Sequence, residues 1–415
     1  MQMKKSILAV SALSLLVATA AHAQEKPVVD VVHWLTAGAE SAAIKVLADE
    51  VTARGGEWVD SAAPGGGGDA SAMMMSRIAG GNPPGVAFLG MGPSAIELGD
   101  QGALRDVTDI ATANGLDQVT PVMVEISTSA DNKLYALPIG LETQNLMWFS
   151  PAVFADVGIE PPATWAEFLE QAEAIKAKGY IPMATGAQGW QLGILFSSVI
   201  LDAGGADLYR SVVMDHDTEM AAGPEMVAAF TTLRGLADNS DPGSANRAWN
   251  DTLNLVAEGR AAVQVMGSWA GAELENMGME QGKAWDCALT PGSDAVIVEG
   301  AGFEFPLVTD PAALAGQDLF IEVMMDPAVQ TEFARLKGAV PPRADADSSG
   351  LSSCTQIAAE ALANPEEGGL ATMGASVSSD NWGQIQDFLA NFWANPSVTP
   401  EAAAQEFAAI IGTEE

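Results

Sequence analysis

The sequence predicts an α/β protein of two domains. Val28 to Trp34 is a run of branched apolar residues with poor alternation, which reads as a strand buried on both faces, as in a parallel sheet. Ile44, Leu47 and Val51 then recur at helical spacing over Glu40–Thr52. Strands and helices follow one another from there to the end of a chain of 415 residues, 48% of them hydrophobic, enough for two cores of ordinary size. Ligands of open α/β folds sit where strands end and helices begin, so Trp34 and Glu40, on either side of the Thr36-Ala37-Gly38 turn, are the first candidate contacts.

The chain opens with Lys4 and Lys5, an apolar stretch from Ile7 to Ala18, and Ala21-His22-Ala23. That is the order of a secretory signal peptide, cut after Ala23. No later stretch is expected to reach the ~20 apolar residues that a membrane helix needs, so a soluble exported product, without membrane insertion, is expected. After the first helix, Gly56–Ala63 reads as a short strand leading into Pro64 and four glycines, among which Gly67 can let a ligand approach the backbone. A helix is expected over Ala72–Ile78, stopped by Asn82-Pro83-Pro84. Gly85 to Ala95 imitates a dinucleotide fingerprint, with Gly90 and Gly92 ahead of Ala95. The second strand ending in an acid ~20 residues on is missing, so no nicotinamide cofactor, or any other, is expected.

Lys133–Trp148 is extended and carries Pro138 and Gly140, which suits a strand leaving one domain and entering the next. Two helices follow between Pro151 and Lys178, the second capped by Thr164 with Glu167 completing a capping box. Ile181–Trp190 reads as strand and loop, Gln191–Ala203 as an apolar helix, Pro224–Leu236 and Ala248–Gly259 as helices, and Ala261–Met266 as a strand ending in Gly267-Ser268-Trp269. Ala301–Val308 is a second crossing strand, with helices beyond Ala313.

With 54 acids against 18 bases, the net charge of −36 excludes sequence-independent binding to nucleic acid or anionic lipid and disfavours self-association, so a monomer is expected. Cys287 and Cys354 are the only cysteines, and an exported chain would join them in a structural disulfide. Once His22 leaves with the signal peptide, only His33 and His216 remain, neither beside a nucleophile or a ligand cluster, which argues against a Ser-His triad or a zinc site. Asp345-x-Asp347 begins like a calcium loop but lacks the closing acid, Gln356 standing there, and reads as a surface turn. Trp34, Trp190, Trp249 and Trp269 each fall near a strand end or a helix start. Aromatic faces stack on the C–H faces of sugars while acids, amides and lysine bond the hydroxyl rim, so these residues point to a carbohydrate cleft. A secreted carbohydrate-active enzyme using two carboxylates is the alternative.

The runs VVHWLTAGAE, SAAPGGGGDA, SRIAGGNPPGVAF, WFSPAVFADVGIEPPATWAEFLEQAEAIKAKG, QVMGSWA, CALTPGS and LKGAVPPRADA, in that order over nearly the whole mature chain, resemble the extracellular solute-binding proteins of sugar importers, closest to the glucose/mannose-binding branch of the periplasm. The resemblance implies a type II-like periplasmic binding fold: two α/β lobes joined by crossing segments, a sugar in the cleft, and delivery to the permease of an ATP-driven importer. It divides the chain into residues 24–137 with 302–338 as the N-terminal lobe and 138–301 with 339–415 as the C-terminal lobe, and sets the disulfide in the latter. It implies contacts from Trp34 and Glu40, stacking on Trp249 and Trp269, and a hydroxyl donor in Lys337, with Gly67, Met91 and Trp190 completing the expected set. The chain departs from the glucose branch at Leu35, Met91, Ser268, Ala301 and Gly374, where polar or aromatic residues are expected, so glucose itself is in doubt as the ligand.

Overall fold

A computed structural model describes residues 26–64, 66–363 and 369–414; the signal peptide expected before Ala23 lies outside them. Among the described residues ten strands form two sheets: β1 Val28–His33, β2 Glu57–Ala62, β3 Val86–Gly90, β4 Ala136–Thr143, β9 Ile297–Glu304 and β10 Leu370–Ala371 in the first, and β5 Leu146–Phe149, β6 Ile181–Met183, β7 Ala261–Met266 and β8 Asp286–Leu289 in the second. In the first, β1 lies parallel to both β2 and β3, and β9 runs antiparallel between β3 and β4. In the second, β5 is antiparallel to β7 and β8, and β6 is parallel to β7. Each sheet has its own core: Val29, Val31, Phe88, Leu137, Phe303 and Phe333 in the first, Trp148, Trp165, Phe196, Phe230 and Phe407 in the second.

The first strand and helix lie where the hydrophobic pattern puts them, with Val31 and Val32 fully buried and the helix running from Gly38 to Ala53. The second helix starts earlier than expected, at Gly67 instead of Ala72, because Gly66 takes a φ of 93° and turns the chain so that the glycines themselves open the helix. Thr164 caps its helix by accepting from the Glu167 amide at 3.2 Å, but Glu167 reaches back to the Ala163 amide at 2.7 Å, one residue before the cap. By length and composition the helical run Gly189–Met214 could cross a membrane, contrary to expectation. It is a core helix instead, 67% buried over its apolar window and packed against Pro224–Asp238 and Ser379–Ala394. Arg343 pairs with Asp345, and Asp347 accepts from the Ser349 amide at 2.9 Å; among the described residues no group of acids, histidines and cysteines could hold a metal ion.

Only Gln144 and Asn145 separate β4 of the first sheet from β5 of the second. The divisions drawn at 137/138 and 301/302 therefore fall inside β4 and β9, whose pairing runs from Ala136–Glu304 to Thr143–Val298. Proline and glycine at 138 and 140 mark a bulge within β4 and not the change of sheet. Buried Asn145 laces the two crossings together: its side chain donates to the Ala295 carbonyl at 2.9 Å and accepts from the Ile297 amide at 2.8 Å. A third pass lies beside them, where Val340 and Leu141 exchange backbone bonds of 2.8 Å, and the chain through Leu351 and Ala358 packs on the first core. Cys287 and Cys354 are joined, with 6.1 Å between Cα atoms, linking β8 to the start of the helix Ser353–Ala363.

The helix Pro311–Met324 packs on β1 so closely that a Cβ at Gly316 would stand 1.9 Å from the Val28 carbonyl oxygen. Gly316→Ala should therefore destabilise the protein by about 2 kcal/mol or more despite the ~1 kcal/mol that alanine gains over glycine in a helix. A lowered urea midpoint at unchanged m value is the expected reading.

Candidate ligand-binding site

A cavity of about 1690 Å³ lies between the two cores and is reached by all eight residues singled out from the sequence. Strand ends and helix starts build it: β1 delivers Trp34, β3 delivers Met91, β7 delivers Trp269, and the helices Gly38–Ala53, Gly67–Ala79 and Trp249–Ala257 open toward it. A helix start carries amide groups with no partner inside the helix, so Gly67 and Gly68 present donors there. The Trp34 ring leans on Phe88, centroids 4.8 Å apart, and passes Gly67 so closely that a Cβ there would touch it at 3.6 Å. Trp34, Trp190 and Trp249 are partly buried and keep a face on the cavity, whereas Trp269 is only 7% exposed. The rims meet where the Ser94 and Ser379 hydroxyls lie 2.7 Å apart.

Lys337 is the polar centre. Its ammonium contacts the Glu142 carboxylate directly, stands 3.7 Å from Glu40, and lies 5.1 Å above the Trp269 ring. Burial works against the charge on Lys337, but Glu142 and Glu40 more than offset it and hold its pKa above the ordinary value. For Glu40, burial outweighs Lys337 and the Ala37 amide, so its carboxyl is raised. Glu299, beside Glu142 in the strand register, accepts from the Gln144 amide at 2.7 Å; burial, and then Glu142, push it up to about 7. Glu273 caps the first helix from the other side, accepting from the Ala39 amide at 2.7 Å.

Several departures have visible causes. Leu35 is 1% exposed in the first core, and Ala301 packs there too. Ser268 is turned away, bonded through its amide and hydroxyl to the carbonyl and amide of Thr143. Met91 lies flat over Gly300 and Gly302. At Gly374 a side chain would meet the Trp382 ring at 3.2 Å. Trp382, Glu142, Gln144, Glu299 and Glu304 line the cavity and were not singled out from the sequence. Trp382 lies in the first turn of the helix Ser379–Ala394, a helix start like those of Trp190, Trp249 and Trp269, and could have been noticed; single glutamates among 54 acids carry no local signal, except Glu304, a lone acid in the apolar run GFEF. His33 has a structural part: its Nδ1 accepts from the Leu35 amide at 3.1 Å while Nε2 meets Asp60 at 3.1 Å.

Glu304 is 2% exposed, its Oε2 has no partner among the described residues, and burial pushes its carboxyl up to about 8. An acid whose folded pKa lies above its unfolded value holds its proton more tightly when folded, so its ionisation costs stability as pH rises from the unfolded value through the folded one. Glu304→Gln should therefore flatten the fall in melting temperature between about pH 5 and pH 8.5, and at pH 8.5 should stabilise the protein by roughly 1 to 3 kcal/mol. Thermal melts of both proteins across that range measure the difference.

Residues 26–314 match the family of bacterial extracellular solute-binding proteins. A probable sugar-binding periplasmic protein of Mesorhizobium japonicum is 30% identical over 88% of this chain and 88% of its own length, and one of Brucella melitensis is 29% identical over 93% and 88%. Among solved structures, a chitin oligosaccharide binding protein superposes with a TM-score of 0.79 at 19% identity, covering 94% of this chain and 99% of its own. The solute receptor AcbH, characterised as exclusive for β-D-galactopyranose, gives 0.77 at 17% identity over 92% and 97%. Two sheets with separate cores, three adjacent crossings and a cavity between them are the architecture of these two-lobe receptors, and the chain belongs to the bacterial extracellular solute-binding proteins.

Proposed function

We propose that this protein is the periplasmic receptor of an ATP-driven importer, capturing a saccharide, or a related polyol or glycoside, and delivering it to a membrane permease. The observation that carries the reading is the cavity itself, where Trp34, Trp190, Trp249 and Trp382 surround the Glu40–Lys337–Glu142 cluster. Ring faces take the C–H faces of a sugar, while a buried ammonium donates to hydroxyls on one edge and the carboxylates beside it accept from them. Relatives named as sugar-binding periplasmic proteins support the same class of ligand.

Several features favour a receptor over a hydrolase. A glycosidase needs one carboxyl free as acid and another free as base or nucleophile; Glu40 and Glu142 instead share one ammonium, which holds both in place. The strong net negative charge favours a monomer. Two lobes, bending at Gln144–Asn145 and at residues 290–296, close around the ligand in this reading, because the rims can both touch a sugar only when they approach. Thermal-shift screening against a saccharide panel tests the class directly, since a ligand at 100 times its Kd stabilises by about 2.7 kcal/mol. The bound sugar should be recovered chemically unchanged and at one equivalent; turnover would mean an enzyme.

Trp249→Ala removes an aromatic face that no neighbour replaces and should weaken binding of the sugar found in that screen by about 2 kcal/mol or more, roughly thirtyfold in Kd. Trp269→Ala should lose as much and also melt earlier, because the ring supports Lys337. Titration calorimetry with melting curves separates the two effects. Small-angle scattering should give a smaller radius of gyration with sugar than without; an unchanged radius at saturation would mean a rigid site.

A further inference from the structure

The saccharide reading leaves one buried acid without a task. In the register of the first sheet, Glu304 faces Ala87 and Ala136, and Gly302 faces Leu89, so all five share a face. It is the face opposite the Phe88–Phe303 core. There Glu304 stands between two small apolar clusters, Val32, Ala70, Met74, Ala87 and Leu89 on one side and Ala95, Leu104 and Ala136 on the other. An acidic exterior explains solvated carboxylates; it does not explain one that is 2% exposed, with Oε2 unpartnered and no ion pair among the described residues. Glu40 and Glu142 show how this protein treats buried acids elsewhere, by giving them Lys337.

Glu304 is not sealed off. It lines the same cavity as Trp34 and Lys337, together with Leu89, Ile96 and Leu98. Gly300 and Glu304 both line it, four residues or about 13 Å of strand apart on β9. Between them the Met91 side chain packs over Gly302, where a Cβ would meet Met91 Cγ and Sδ at 2.7 and 2.8 Å. A thioether chain has three rotatable bonds and can swing aside where a branched residue could not.

We propose that this branch is a subsite for a protonated amine carried on an apolar arm of the saccharide, with Glu304 as its counter-ion. The inference rests on the saccharide reading and extends it. Walls of Leu89, Ile96, Leu98 and Met91 offer nothing to a hydroxylated ring, which would lose its water bonds on entry. An alkyl arm loses none. The carboxyl at the end is acceptor-only once ionised, and an ammonium, by favouring that ionisation, satisfies both its hydrogen bonds and its charge, whereas a hydroxyl would satisfy only the former. The carboxyl is pushed up by burial with no cation to offset it, in keeping with a positive partner that the chain itself does not supply.

The test uses 6-aminohexyl and 6-hydroxyhexyl β-D-glucopyranosides and β-D-galactopyranosides, titrated by calorimetry into the wild type and Glu304→Gln. In the wild type the amino arm should bind about tenfold tighter or better than the hydroxyl arm on the same sugar. In Glu304→Gln, with its melting temperature unchanged or higher as proof of folding, that advantage should shrink to about twofold or less. Equal or tighter binding of the hydroxyl arm, or an amine advantage that survives in Glu304→Gln, overturns the proposal. If unmodified saccharides bind in the thermal-shift panel while neither glycoside does, the branch does not admit an arm and the proposal fails with the sugar reading intact. If nothing in the panel binds, both readings fall together.

Discussion

Lys337 brings an ammonium group that is 3% exposed against Glu142 and near Glu40, and each of the three belongs to a different element: the helix Pro327–Lys337, β4, and the helix Gly38–Ala53. A buried ion pair is weak evidence for stability, since desolvation can exceed the attraction it recovers, but removing one partner strands the others and costs about 3–5 kcal/mol. The cluster is best understood as a register device. It fixes where three elements end relative to one another, and they end at the floor of the cavity. Trp269 rests beneath the same ammonium, so the cluster also reaches the end of the second sheet.

Around that floor Gln144 and Glu299 join Lys337 and its two acids in lining the cavity. Ser268, one of the positions where the sequence departs from the glucose branch it resembles, ties β7 to the end of β4. Gly374 leaves space that Trp382 fills. The crossings beside the cavity are bonded to each other through Asn145. Under the proposed function, the expected contacts of a sugar are stacking on the tryptophans and hydroxyl bonds to Lys337 and its two acids.

Much of this was legible from local pattern. Largely apolar runs announced β1 and β7 because a strand covered on both faces carries few polar side chains, and Ala261–Met266 matches its strand residue for residue. The glycine run was harder: four glycines look like a turn, and only the φ of Gly66 makes them a helix start. Pro138 and Gly140 suggested a change of lobe because they bend strands, yet a bulge uses the same residues, and which of the two occurs depends on β9, more than 150 residues away. Of the site, the tryptophans were visible as rare residues at element ends. Glu142 and Glu299 were not, since an acid in a strand has no meaning until its neighbours across the sheet are known, and Glu304 was marked only by the apolar run around it.

The position of β9 bears on how the chain becomes a protein at all. It pairs with β3 on one side and β4 on the other, and with both from Ala301 to Glu304. Until roughly three-quarters of the sequence has emerged, β3 and β4 are two unjoined edges, and the loop from β4 to β9 that must close contains the whole second sheet. Such long-range pairing makes folding slow, because the entropy of closing that loop is lost before any contact repays it. A chain organised in this way stays open while it is being made. Threading through a narrow export channel demands that same delay.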